Sequence, residues 1–172
     1  MPADTEFTEF AAARSGPMFR TAWLLTGDWH LAEDLVQESL GKIYRKWRGL
    51  SNMHDPAAFA RAVLVRTFIS HRRLRSSRER PAAKLPEHAV RDGDAELRLT
   101  LLDGLGQLEP KDRVVLVLRY WEDRSVEETA AELGLSAGAV RSRSFRALER
   151  LRVVLADNNG DLSALGRSGE GI

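Results

Sequence analysis

The stretch Ser125 to Leu148, SVEETAAELGLSAGAVRSRSFRAL, holds the residues whose types and spacing carry the most chemistry. Ser125 can cap a short helix whose first turn contains Glu127 and Glu128, acids that suit the positive end of a helix dipole. Ala130 is small where two helices must approach. Gly134 permits the left-handed backbone that ends the first helix, and Leu135 plugs the gap between the two. Ser136 caps a second helix, and Val140 packs back on the first. This is helix-turn-helix spacing. The second helix of such a motif lies in the major groove with its N-terminal residues at base edges. Ser136, Ala137, Gly138 and Ala139 are small enough for close approach, and Arg141, Ser142, Arg143, Ser144 and Arg146 follow within reach of phosphates or bases. The competing reading is a plain helical hairpin with a solvated arginine face. The cap, alanine, glycine and valine positions agree at once on the DNA-reading motif.

Charge is unevenly spread. Net charge is only +1, yet Asp4, Glu6, Glu9, Asp28, Glu33, Asp34 and Glu38 face only Arg14 and Arg20 in the first part of the chain. Arg61, Arg66, Arg72, Arg73, Arg75, Arg78 and Arg80 then come with Glu79 as the one acid among them, and Arg141, Arg143, Arg146, Arg150 and Arg152 with Glu149. Two basic stripes beside an acidic block predict one surface for a polyanion and another for something else. Asp34 and Glu38 stand one helical turn apart, so both carboxylates can meet one partner; by pattern alone the solvated acidic face is the better reading.

The elements that must position these residues are helical throughout. Periodicity predicts helices over Phe7 to Leu25, Trp29 to Trp47 and Pro56 to Arg75. Phe10, Phe19, Trp23 and Leu24 are expected inward on the first. Leu31, Leu35, Leu40, Ile43 and Trp47 form the stripe of the second, and Phe59, Val63, Phe68 and Ile69 that of the third. Asp28 and Asp55 are positioned as N-caps, with Pro56 at a first helical position where its missing N–H costs nothing. From Ser76 to Asp94 the pattern stops, leaving a tether. It resumes with the stripe Leu97, Leu101, Leu102, Leu105 and Leu108, is broken at Glu109-Pro110, and continues over Val114 to Trp121, Ser125 to Leu133 and Ala137 to Leu155. The glycine-bearing tail after Ala156 is expected to be mobile. The expected organisation is all-α: a helical module over residues 5–76, a flexible linker over 77–95, a helix-turn-helix module over 96–155 and a tail over 156–172. Trp23, Trp29, Trp47 and Trp121 lie beside apolar stripes and read as core.

Several function classes drop out. With no cysteine there is no disulfide framework, thiol nucleophile or cysteine-ligated zinc, a composition that suits the cytoplasm. His30, His54, His71 and His88 have no metal-ligand spacing. No glycine-rich phosphate loop or supported Ser/His/Asp order appears, so neither cofactor nor catalysis is expected. The acidic N-terminus reads as no secretory signal, and no apolar run approaches the roughly 20 residues that span a bilayer.

The stretch AEDLVQESLGKIYRKW, Ala32 to Trp47, resembles the polymerase-binding helix of sigma region 2. Together with the helix-turn-helix, the chain from Phe7 to Leu155 resembles the extracytoplasmic-function (ECF) sigma factors, and among them the short actinobacterial SigE-like group, which keep region 2 and region 4 on a linker. The resemblance implies a non-enzymatic transcription initiation subunit. Asp34, Gln37 and Glu38 would dock on the clamp coiled coil of the largest subunit of core RNA polymerase, with flap contacts elsewhere. The loop Leu50 to Asp55 would hold an extruded base of the −10 element, making Asn52, Met53, His54 and Asp55 candidates. Arg61, Arg66, Arg72, Arg73 and Arg75 would contact phosphates of promoter DNA, and the second basic helix would read the −35 element. An anti-sigma factor is an implied possible partner. Many relatives carry a Trp-Leu-Tyr-Arg-Ile-Ala run in the −10 helix; this chain has Phe59-Ala60-Arg61-Ala62-Val63-Leu64-Val65-Arg66, so the resemblance assigns that helix its module rather than its base contacts. The rival readings are a LuxR-type regulator that is not a polymerase subunit and a helical interaction protein that binds no DNA.

Overall fold

The computed structural model describes the backbone of residues 3–50, 54–75 and 93–166, with side chains described throughout those ranges except at 73–75, 93–94 and 158–166. Every regular element among the described residues is helical. The chain divides into two compact units, Met1–Lys84 and Leu85–Ile172.

The first unit holds α1 (Ala3–Thr26), α2 (Trp29–Lys46) with a 3-10 turn over Trp47–Gly49, and α3 (Pro56–Arg75), each packed on the other two. Gly27 at φ 69° takes the left-handed backbone that ends α1, and the Asp28 carboxylate accepts the Leu31 N–H at 2.9 Å to start α2. Asp55 does the same for α3, accepting the Ala58 N–H at 2.9 Å with Pro56 directly behind it. The core is Phe10, Met18, Ala22 and Leu25 of α1, Ala32, Leu35, Val36 and Ile43 of α2, and Ala60, Leu64, Val65 and Phe68 of α3.

These faces differ in roll from the expected ones. On α1 the deepest residues are Met18, Thr21, Ala22 and Leu25, while Phe19, Trp23 and Leu24 are only half-buried. Thr21 and Ala22 are buried together with Met18 and Leu25, and the rings of Phe19 and Trp23 gather at the margin. Phe19 and Trp23 pack on Trp29 with ring centroids 4.5 and 5.6 Å away. A second aromatic group ties the start of α1 to the end of α2, with Trp47 4.8 Å from Phe10 and 5.3 Å from Phe7.

The second unit holds α4 (Gly93–Gly106), α5 (Pro110–Leu116), a π-type turn over Val117–Trp121, α6 (Val126–Leu133) and α7 (Ala137–Gly166). Its core runs through Leu102, Leu105, Leu108, Val114, Val115, Leu118, Ala130, Val140 and Ala147. Gly104 lets α4 lie against α7 so closely that an added Cβ would stand 2.8 Å from a Leu151 methyl. Glu109-Pro110 ends one helix as expected but also begins the next, because proline suits the first helical turn. Wide hydrogen bonding, Glu122 N–H to Val117 O at 3.0 Å and Arg124 N–H to Leu118 O at 2.9 Å, then turns the chain toward α6. That turn places Trp121 outward at 55% exposure, correcting its reading as core. Leu97, expected on the α4 stripe, is exposed as well. Helix α7 continues past Leu155 to Gly166, across residues read as a mobile tail; no proline follows Leu155 to stop it. The proposed linker lies outside the described residues apart from its last three positions, which belong to α4.

Candidate nucleic-acid and polymerase interfaces

The helix-turn-helix forms from local chemistry. Ser125 and Glu128 make a reciprocal capping box: the Glu128 N–H donates to Ser125 Oγ at 3.0 Å and the Ser125 N–H donates to Glu128 Oε2 at 2.8 Å. Gly134 at φ 63° closes α6, and the Leu135 N–H returns to Ala130 O at 3.0 Å. Ser136 Oγ accepts the Ala139 N–H at 3.1 Å and starts α7. Val115, Ala130 and Val140 form the buried centre, with Val126, Leu133 and Leu135 packed around it. Burial of Val140 and Ala147 fixes which face of α7 turns away from the unit.

That outward face carries Gly138, Arg141, Ser142, Phe145 and Arg146, all exposed. The spacing of three and four residues puts them in one stripe. Ser136 is exposed and Ala137 and Ala139 are half-buried at its start. Two residues expected in the stripe are elsewhere. Ser144 is buried at 8% exposure, pointing into the unit. Arg143 is turned inward, its Nη1 2.7 Å from Asp112 Oδ1 and 3.9 Å from Glu109 Oε2. A helical period places residues 140, 143, 144 and 147 on one side, and arginine's charge does not override it. Arg141 is exposed but shares a loose pair with Glu127 at 3.4 Å.

Phe145 was not among the expected site residues, yet it is 69% exposed in the middle of the arginine stripe. An apolar ring held out between Arg141 and Arg146 is the shape that meets a thymine methyl in the major groove. Counting three and four residues from Arg141 and Ser142 would have found it.

On the first unit, Asp34 and Gln37 are exposed on α2. Glu38 is not a free acid. It pairs with Lys42 at 2.9 Å and with His71 of α3, and Lys42 Nζ also donates to Thr67 Oγ1 at 3.2 Å. The hydrogen bond from Lys42 and the charges of His71 and Lys42 outweigh partial burial and hold the Glu38 carboxyl below its ordinary value. The three expected polymerase contacts therefore divide: two point to solvent, and one clasps α2 to α3.

The basic helix α3 divides the same way. Arg66 is exposed, whereas Arg61 is buried at 9% exposure and lies away from the solvent-facing side of the helix. Arg72 is half-buried with its guanidinium 5.7 Å from the Phe68 ring centroid. His54 and Asp55 are exposed, Asp55 using one oxygen as the cap described above. Asn52 and Met53 lie outside the described residues, as do the side chains of Arg73 and Arg75.

The family models "Sigma-70 region 2" and "Sigma-70, region 4" match residues 13–78 and 104–153. The RNA polymerase sigma-E factor of Streptomyces coelicolor is 40% identical over 164 residues, 94% of this chain and 93% of that protein. The chain belongs to the extracytoplasmic-function RNA polymerase sigma factors. The ECF sigma factor SigL of Mycobacterium tuberculosis is a further relative, 36% identical over 151 residues, 81% of this chain and 83% of that one. Among solved structures, the sigma factor RpoE of Bartonella quintana, crystallised with the anti-sigma factor NepR, shares the fold with a TM-score of 0.67 at 24% identity, covering 89% of this chain and 96% of that one. CnrH, solved with the cytosolic domain of CnrY, shares it with a TM-score of 0.63 at 23% identity over 90% of each chain. As a sigma factor this protein binds core RNA polymerase and directs promoter-specific transcription initiation. Among the described residues no helix is long and apolar enough to cross a membrane.

Proposed function

We propose that this sigma factor divides its work between three faces. Asp34 and Gln37 on α2 dock on basic residues of the polymerase clamp. The exposed part of α3 and the loop before it, with His54, Asp55 and Arg66, engage the −10 element as an opened strand. The α7 stripe Gly138, Arg141, Ser142, Phe145 and Arg146 reads the −35 element as duplex, with flap contacts elsewhere on that unit. The observation that carries this reading is the α7 stripe, because its roll is fixed by caps and by buried Val140 and Ala147.

Such a subunit acts by differential affinity: it binds melted −10 DNA better than paired DNA, so binding energy favours opening without any hydrolysis by this chain. Two modules on one chain raise each other's effective concentration on the promoter. The protein is a non-catalytic cytoplasmic subunit. One solved neighbour, RpoE, is crystallised with the anti-sigma factor NepR, which supports a comparable inhibitor covering these faces here.

Run-off transcription with sigma-free core polymerase tests the reading. The template is a promoter selected by the reconstituted holoenzyme from a pool randomised at both elements. A defined transcript is expected with the chain and none without it. Loss of the transcript with Asp34→Lys, in a variant of unchanged melting temperature, supports the clamp assignment. Undiminished transcription from that variant overturns it.

A further inference from the structure

We infer that Asp112 and Arg143 are positioning residues for −35 reading: their pair holds the roll of α7 about its axis within the narrow limits that base contacts require. This rests on the reading that α7 enters duplex DNA. Arg143 would otherwise count as one more cation for the phosphates, but its environment is an interior one. It lies on the α7 face that carries Val140, Ser144 and Ala147, all buried, and its side chain is 23% exposed against 20% for Asp112. The contact is 2.7 Å and links residues 31 apart in sequence, with Glu109 Oε2 as a second carboxylate at 3.9 Å.

What makes the pair a positioning device is the rigidity beneath it. Asp112 sits in the first turn of α5. The next residue, Arg113, is 2% exposed and donates through Nη2 to the carbonyls of Gly106 at 2.9 Å and Leu108 at 3.2 Å. Those carbonyls belong to the C-terminal end of α4 and the loop after it. Adjacent residues of α5 therefore hold the end of α4 on one side and the recognition helix on the other. The caps and the burial of Val140 and Ala147 settle which face of α7 turns outward; the charged contact from Arg143 Nη1 to a carboxylate on α5 holds that roll within narrower limits. At a helix radius of about 5–6 Å, a roll of roughly 20° moves an outward side chain by about 2 Å. That is enough to break hydrogen bonds to base edges, which tolerate only a few tenths of an ångström. Phosphate contacts on long flexible side chains survive such a shift, so the roll bears on sequence discrimination and not on general attraction.

The test uses the full chain assembled with core polymerase. Binding is measured to a duplex selected by the wild-type holoenzyme at the upstream element and to a scrambled duplex of equal composition, across a salt series. Asp112→Asn is expected to weaken binding to the selected duplex about tenfold, the worth of one good base contact, while leaving the scrambled duplex unchanged. Arg143→Met is expected to do the same without altering the slope of log K against log salt. The Asp112→Asn, Arg143→Met double variant is expected to lose no more than either single one. Tighter binding by Asp112→Asn to both duplexes would mean the acid merely repels DNA, and overturns the proposal. A salt slope reduced by about 0.9 in Arg143→Met identifies a phosphate contact and overturns it as well. Arg143→Lys keeps the charge and is expected to retain more of the selected-to-scrambled ratio than Arg143→Met. A melting temperature lowered by any of these with the selected-to-scrambled ratio intact marks a purely structural pair and also overturns the proposal. A wild-type holoenzyme that cannot distinguish the two duplexes sinks the −35 reading itself.

Discussion

The two units carry the same kind of resource, arginines on a helix next to an apolar core, and use it with different degrees of definition. In the second unit the roll of α7 is set by a serine cap at its start, a glycine-closed turn before it, Val140 in the centre and the Asp112–Arg143 pair beside it. In the first unit α3 is capped by Asp55 and held by Leu64, Val65 and Phe68, and its polar link to α2 is the Glu38–Lys42–His71–Thr67 cluster. In both, a count of positive charges overstates the DNA surface. Arg143 and Arg61 turn inward while Arg141, Arg146 and Arg66 turn outward. The same division separates the acids of α2, where Asp34 faces solvent and Glu38 clasps a neighbour. A charged residue is available to an interface only where the helical period leaves it outside, whatever its type.

The contrast between the two acids gives the largest expected effect. Asp34→Lys should weaken association with core polymerase by about thirtyfold, as loss of an interface anchor does, with the melting temperature unchanged. Glu38→Lys should lower the melting temperature, because it sets a second ammonium against Lys42 and removes the acceptor of His71. Titration against labelled core and a thermal melt of each variant separate the roles.

Packing of the helix-turn-helix comes next. Val140→Ala should cost about 2 kcal/mol in denaturant unfolding, since a fully buried side chain loses two methyl groups and leaves a gap. Gly134→Ala has open space for its methyl but must hold φ 63°, and should cost about 1 kcal/mol. A Gly134→Ala variant as stable as wild type would show that the turn between α6 and α7 is not built on left-handed backbone.

The smallest effect concerns pH. The Glu38 carboxyl is held below its ordinary value of 4.5, so its stabilising contribution is complete above that value and is lost as pH falls through the depressed one. Glu38→Gln should therefore flatten the acid limb of stability against pH, as followed by urea midpoints across the acid range.

What could be read from the residues follows how local the cause is. Asp28, Asp55, Ser125, Gly134 and Ser136 act on backbone within three residues of themselves, and all five stand where their types placed them. The all-helical fold was legible for the same reason. Proline is ambiguous: Pro110 signals a stop and a start in one residue, so α5 begins earlier than its apolar pattern. The face of α1 was not legible, because Ala22 and Thr21 are buried by close helix approach, which rewards small side chains over the large rings nearby. Arg143 was illegible as well, since its inward turn depends on Asp112 in another helix. Phe145 is legible from its spacing on the stripe of Arg141 and Ser142, although its apolar type adds nothing to the charge pattern.

Photo-crosslinking within one open complex tests the division of faces most directly. A photoreactive amino acid is placed at Gln37 on α2 and, in a separate protein, at Ser142 on α7, each assembled with core polymerase on the selected promoter. The position-37 protein is predicted to label the largest polymerase subunit and no DNA, and the position-142 protein to label the upstream duplex. Labelling of DNA from position 37, or of polymerase alone from position 142, would contradict the assignment of these two helices.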